Sequence, residues 1–469
     1  MAPRLNPLMV LLLASSPLRG GAAQALAPAQ AAGIDSAVAA VLAGTGAPSA
    51  SISIVRNGAV VYDRAYGKGR VDPDVPATPV MRYAIGSVSK QFTATAILLL
   101  AEEGKLSLDD KVAKWFPRLT RASEVSIRQL LSMTAGYQDY WPQDYVFTLM
   151  QRPETAEEIM QRWAAKPLDF DPGTRWQYSN TNYVIAGAIV ERVSGMPLMD
   201  FMRRRIFTPL HMQSVVEFDA GPLSEQDAAP LLRNALGPLR PAPKEGKGWL
   251  FGAGHLAMTA HDLGLWDVAV IDRSILKAPS YQAQQTDLLL ANGLSTRYGL
   301  GVTVTTGLGG RRRITHGGAV SGYTTINDVY PDQRTAVVVF TNIYPGAAGA
   351  PGQIAGRIAG ILFAETDSLT RLARDQARKI YDDLAKGSFD PAPFSENARA
   401  YFTKEVVADY AASLGPLGPP AEFSPTGESL RGGMTIRSYR IRAGGMLMSL
   451  TTMILPDGRI EQYLIERAG

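Results

Sequence analysis

Ser87 and Lys90 lie three residues apart in Ser87-Val88-Ser89-Lys90, at the head of the apolar run QFTATAILLLA. On a helix, residues three apart are neighbours, so a hydroxyl and an amine would share one face. A lysine desolvated beside a serine can lose its proton near neutral pH and become the base that makes the hydroxyl nucleophilic. The same tetrapeptide also fits a plain helix start with an exposed lysine. The run that follows argues against this: it is apolar nearly all round, with Phe92, Ala96 and Leu99 on one stripe, and closes at Glu102, Glu103 and Gly104. Such a helix should be buried, and a lysine at its start then needs a partner or a task.

Two further clusters carry polar groups at element ends. After the turn Asp171-Pro172-Gly173-Thr174, the strand-like Arg175-Trp176-Gln177-Tyr178 leads through Ser179-Asn180 into the helical stretch TNYVIAGAIVERVSG. A phenol (Tyr178) and an amide (Asn180) at that junction could project into a cleft, or Ser179 and Asn180 could simply cap the helix. His316-Gly317-Gly318-Ala319 follows an expected hairpin with strands at residues 298–305 and 311–315. Two glycines on a strand allow another backbone to approach, which suits a substrate lying along the strand with an N–H near Ala319 aimed at a developing oxyanion.

In this order along the chain, Ser-x-x-Lys, Tyr-x-Asn and a His-x-Gly strand resemble the serine penicillin-recognising enzymes, in the branch of class C β-lactamases and D-Ala-D-Ala peptidases. The stretches GKLSLDDKV, IRQLLSMTAGY and GAGHLAMTAHDLGLW resemble the same family, and the resemblance runs from Ile34 to Asn342. It implies an α/β (α+β) β-lactamase-like fold: an antiparallel sheet flanked by helices, with a mostly helical insertion at about residues 109–246. It also implies acyl transfer through Ser87, with Lys90 and Tyr178 moving the proton and the N–H groups of Ser87 and Ala319 forming the oxyanion hole. Asn180 would orient the substrate amide, Gly318 would belong to the substrate-binding strand, and His316 would contact the leaving side or modulate Tyr178. Whether Lys90 or Tyr178 is the primary base stays open. His316 stands where β-lactamases of the family usually carry lysine, and Met133-Thr134-Ala135-Gly136-Tyr137 departs from their His-Thr-Ser-Gly. These departures favour a peptidase for D-amino-acid peptides, or an esterase or amidase, over a β-lactamase. A non-catalytic penicillin-binding sensor is a third possibility.

The remaining features set bounds. With 469 residues, 46% of them hydrophobic, the chain can hold more than one domain. A net charge of +4 and short arginine runs give no nucleic-acid footprint. His211, His255, His261 and His316 lack zinc-ligand spacing, and no cofactor is implied. Residues 1–25, with Arg4, an apolar core and small residues before Leu26, read as an export signal, which predicts a periplasmic or secreted protein with no stable membrane insertion. The expected partner is a small-molecule or peptide substrate. A hydrolase domain is expected over residues 26–365 and a small α+β accessory module over 366–469, with helices at 369–385 and 395–414 and three strands beyond. Asn57-Gly58 marks a hairpin. Residues 209–247 read as a long surface excursion, His261 as a helix-surface residue and His255 as a satisfied loop histidine.

Overall fold

The computed structural model describes residues 25–143, 145–364 and 368–468. All of the expected export segment except Ala25 lies outside the described residues, as does the expected domain junction at Glu365.

Strands β1 (Ser49–Arg56) and β2 (Ala59–Val71) turn at Asn57 and Gly58, whose φ values of 54° and 82° are those a tight two-residue hairpin demands. With β3 (Asp74–Pro76), β4 (Thr303–Thr306), β5 (Arg312–Val320), β6 (Tyr323–Tyr330) and β7 (Thr335–Thr341) they form one antiparallel sheet in the order β3-β2-β1-β7-β6-β5-β4. Helices α1 (Pro28–Thr45), α2 (Ser89–Glu102), α3 (Asn180–Ser194), α4 (Ala260–Asp272) and α5 (Ala350–Phe363) flank it. Strand β7 is wholly buried, and its alternation divides the core. Val337 and Val339 pack with Ile34 and Val38 of α1 and Ile354 and Ile358 of α5, whereas Val338 and Phe340 join Phe92, Tyr183 and Trp266 of α2, α3 and α4.

Several local expectations are corrected. Tyr298 is not in a strand: the chain turns back at Gly301 (φ 77°), Gly299 N donates to Val302 O, and β4 starts only at Thr303. Residues 175–178 are irregular rather than extended in a sheet, because Gln177 N pairs with Met133 O of the neighbouring loop and not with a strand. The stretch 209–247 runs largely along the surface, as expected, but it is anchored. It buries Ala228, Leu231 and Glu245, pairs Leu231–Arg233 with Leu239–Pro241, and clamps the β5–β6 turn through Ser321 N, which donates to Glu245 Oε1 at 2.8 Å.

The C-terminal residues form α6 (Ser368–Ala385), α7 (Glu396–Tyr401), α8 (Lys404–Leu414) and a four-stranded sheet of β8 (Glu422–Arg431), β9 (Met434–Ala443), β10 (Met446–Ile454) and β11 (Ile460–Arg467), with its own core. The helix expected at 395–414 is split because Thr403 caps a new helix by accepting Val406 N. Strand β8 carries Pro425 and Gly427, which mask a strand pattern. Both are tolerated because β8 is an edge strand, with an irregularity between those two residues.

Two glycines bring the head of α2 against β5. A Cβ on Gly86 (φ 50°) would lie 2.8 Å from Ala319 N, and one on Gly318 would collide with Ile85 O. Gly318→Ala should therefore destabilise the protein by about 2 kcal/mol, within the usual cost of overpacking. Urea denaturation tests this, and a variant within about 0.5 kcal/mol of the parent would contradict it.

Candidate active site

Ser87 lies in a single 3-10 turn (Gly86–Val88) that runs into α2, and Lys90 is the second residue of that helix. Every residue of α2 from Ser89 to Leu100 is buried, so Lys90 enters the interior with 0% exposure. Its Nζ has three close partners: Ser87 Oγ at 3.0 Å, Asn180 Oδ1 at 2.7 Å and Ala253 O at 2.9 Å. Burial pulls the amine down to about 7, opposed by the negative charge of Asp139. A neutral amine has two N–H donors and one lone pair. Asn180 Oδ1 and the Ala253 carbonyl can only accept, so they take the two hydrogens and leave the lone pair for the Ser87 hydroxyl.

Tyr178 closes one side of this group, its ring 4.9 Å from Lys90 Nζ. Burial raises its phenol well above the usual value, with Ser87 opposing the shift. A neutral phenol is thus the resting form, able to relay a proton but poorly suited to start as the anion. The loop at Met133 holds this segment in place: Met133 O accepts Gln177 N, Thr134 O accepts Gly173 N, and Met133 Sδ lies 3.4 Å from Ser179 N.

Beyond Thr315, β5 has lost its partner β4, so the edge at residues 316–320 is open. This edge, Ser87, Tyr178 and Asn180 line a cavity of about 760 Å³, walled opposite by Tyr140, Trp141 and Leu250 and by Gly349 and Pro351 near the start of α5. Gly317 is exposed there, while Gly318 backs onto Ile85. The expected strand glycines therefore split their tasks, one facing the cavity and one admitting the nucleophile's own turn.

His316 differs from its expected role. Its Nδ1 lies 2.6 Å from Gly317 O, an acceptor, so Nδ1 carries the proton and Nε2 accepts from Tyr298 Oη at 2.8 Å. Burial, then the charge of Lys90, pushes the imidazole down to about 4. His316 is neutral at pH 7, and its hydrogen bond goes to Tyr298 rather than to Tyr178. Asn180 is likewise committed: its Oδ1 faces Lys90 and its Nδ2 donates to Asp139 Oδ2 at 3.3 Å. Asp139 was missed because it lies two residues past the family-like stretch that ends at Tyr137. Tyr298 was missed because it reads as the first residue of a strand, and its contact with His316 depends on the turn at Gly301. His255 is in a loop as expected but is not satisfied: it is buried with neither ring nitrogen partnered, and burial lowers it to about 4. His261 is exposed and pairs with Asp63.

A family profile described as Beta-lactamase matches residues 34–360. The chain belongs to the beta-lactamase family. It is 26% identical over 323 residues to PbpX of Bacillus subtilis (strain 168), a protein named for penicillin binding, covering 68% of this chain and 76% of that one. It is 26% identical over 305 residues to penicillin-binding protein 4* of the same organism, covering 62% and 67%. Among solved structures, the octameric penicillin-binding protein homologue from Pyrococcus abyssi superposes with a TM-score of 0.63 at 22% identity, over 93% of this chain and 100% of that one. A D-stereospecific amidohydrolase from Streptomyces sp. superposes with a TM-score of 0.60 at 24% identity, over 71% and 98%. The D-amino acid amidase of Ochrobactrum anthropi SV3 reaches 0.61 at 22% identity, over 71% and 99%. Membership places the chain among serine hydrolases of the β-lactamase fold.

Three of the histidines allow a direct check. In a nitrogen-detected NMR titration, His316 and His255 should stay neutral down to about pH 4, whereas His261, raised by its bond to Asp63, should protonate above the usual value. The unfolded chain binds protons at these two buried sites from about pH 6.5 downward, so they make acidification from there to pH 4 destabilising. A His316 that is cationic at pH 6 would contradict the assignment.

Proposed function

We propose that the protein is an exported serine hydrolase working through an acyl-enzyme on Ser87, with esters and amides that carry no carboxylate beside the scissile bond as its substrates. The observation that carries this reading is Lys90 Nζ held by two carbonyl acceptors and facing Ser87 Oγ. Ser87 Oγ bonds to the substrate carbonyl carbon as its proton passes to Lys90, and Tyr178 relays a proton to the departing alcohol or amine. Water then attacks the ester by the reverse route. The N–H groups of Ser87 and Ala319 would take the oxyanion. A buried amine titrating near neutrality beside a hydroxyl serves acylation of that hydroxyl, which favours acyl transfer over a scaffold that never forms the ester.

The substrate class follows from charge. Among the described residues lining the cavity there is no lysine or arginine, and His316 is neutral. A substrate carboxylate, as in a β-lactam or a C-terminal peptide, would find no permanently charged cation among these lining residues. D-amino-acid amides and uncharged esters meet no such penalty, and the amidase neighbours lend them support. Export is supported by the apolar, small-residue character of residues 1–25, and N-terminal sequencing of the exported protein should find a start near Leu26. No helix among the described residues is long and apolar enough to cross a membrane.

Two measurements test the reading. After incubation with a fluorophosphonate, mass spectrometry should find an adduct on the peptide carrying Ser87, absent in Ser87→Ala, and Lys90→Ala should lose roughly a thousandfold in kcat/KM. For a substrate pair differing only in a carboxylate, the uncharged member should be preferred by at least about tenfold, and His316→Lys should narrow the gap. An adduct that persists in Ser87→Ala, or preference for the carboxylate by the parent protein, would overturn it.

A further inference from the structure

The carboxylate of Asp139 enters the cavity wall from the loop after Tyr137 and meets the start of α3. Its Oδ1 accepts Asn180 N at 2.9 Å and Trp141 N at 3.2 Å, and its Oδ2 faces Asn180 Nδ2. The N-cap residue Ser179 makes no side-chain cap bond, and its Oγ is buried without a partner. Asp139 therefore caps α3 from a different segment of the chain, at the helix end where a negative charge is favoured.

This arrangement decides which way the Asn180 amide points. The two ends of an amide are nearly equal in size, so shape alone does not orient it. A carboxylate can only accept, which draws Nδ2 toward Asp139 and leaves Oδ1 for Lys90. With the amide reversed, Nδ2 would face the N–H groups of Lys90 and Oδ1 would face the carboxylate, two repulsive contacts in a buried site.

We propose that Asp139 is a positioning residue for the reaction: it fixes the Asn180 amide and, through it, holds the Lys90 amine with its lone pair on Ser87. The inference rests on the acyl-transfer reading of Ser87 and Lys90. Burial raises the Asp139 carboxyl above its usual range, opposed by the hydrogen bonds from Trp141 and Asn180 and by Lys90, and its negative charge in turn favours the protonated amine. The other titratable groups around Lys90 and Asp139 are the half-buried Tyr178 and the buried Tyr183, Tyr140 and His316, all neutral at pH 7 and unable to replace a carboxylate.

One substitution therefore has two opposed effects. Asp139→Asn keeps the size but removes the charge and the obligate acceptor. The plateau of kcat/KM for an uncharged p-nitrophenyl ester should fall at least about tenfold, because the amine is no longer held in line. Its acid limb, set by deprotonation of Lys90, should move to lower pH by about one unit, the usual scale for losing a nearby opposite charge. Asp139→Glu, which keeps the charge, should return the limb toward its original position even if the plateau stays low. Fluorophosphonate labelling of Ser87, run alongside, separates the two levels of the argument. If labelling persists in Ser87→Ala, the acyl-transfer reading itself fails. If labelling requires Ser87 but Asp139→Asn lowers the plateau without moving the limb, or changes neither, Asp139 is only a structural residue and this inference is overturned.

Discussion

A primary amine with no exposed surface governs the design of this molecule. Left unpaired, the charge on Lys90 would cost more than the fold could bear. The protein meets this cost with two fixed oxygens, from Asn180 and the Ala253 carbonyl, and lets the remaining valence of nitrogen fall on Ser87. Two of the partners can only accept and the third is a hydroxyl able to donate, a set that a neutral amine satisfies, and the burial that lowers the amine's pKa leaves its unprotonated form available at neutral pH to take the serine's proton. Stability and reactivity at this point have one origin.

Much of the surrounding architecture serves to keep that group dry and in register. Helix α2 is buried on every side, so Lys90 cannot swing to solvent. Strand β5 contributes its open edge only where β4 has ended, and the closeness of Ala319 to the serine turn depends on the absent side chains of Gly86 and Gly318. The stretch at 209–247 holds the far end of β5 through Glu245 and Ser321, while the Met133 loop holds Tyr178. These are contacts between segments distant in sequence, converging on a few ångströms around one hydroxyl.

That distance in sequence explains what could be read beforehand. The Ser87–Lys90 pair was legible because both residues lie on one helix, whose geometry is local, and the Asn57-Gly58 hairpin was legible for the same reason. The family order of motifs carried the sheet and the flanking helices. Asp139 was not legible: an aspartate in a loop has no periodicity, and its importance comes only from meeting the end of α3. The neutral state of His316 was equally hidden, since it depends on burial and on Tyr298, which an unanticipated turn at Gly301 redirects. Strand β8 escaped notice because Pro425 and Gly427 ordinarily argue against a strand, and their tolerance follows from an edge position that only the assembled sheet defines.

The central claim, that the unprotonated Lys90 amine activates Ser87, is tested most directly by the rate of Ser87 acylation by an uncharged fluorophosphonate as a function of pH, in the parent protein and in Lys90→Arg. The parent rate should rise with pH through a midpoint of about 7 and then level off. The arginine variant, which keeps a cation that does not deprotonate, should be slower by at least about a hundredfold and show no such rise. An arginine variant that acylates at the parent rate with the same pH profile would show that the amine is not the base.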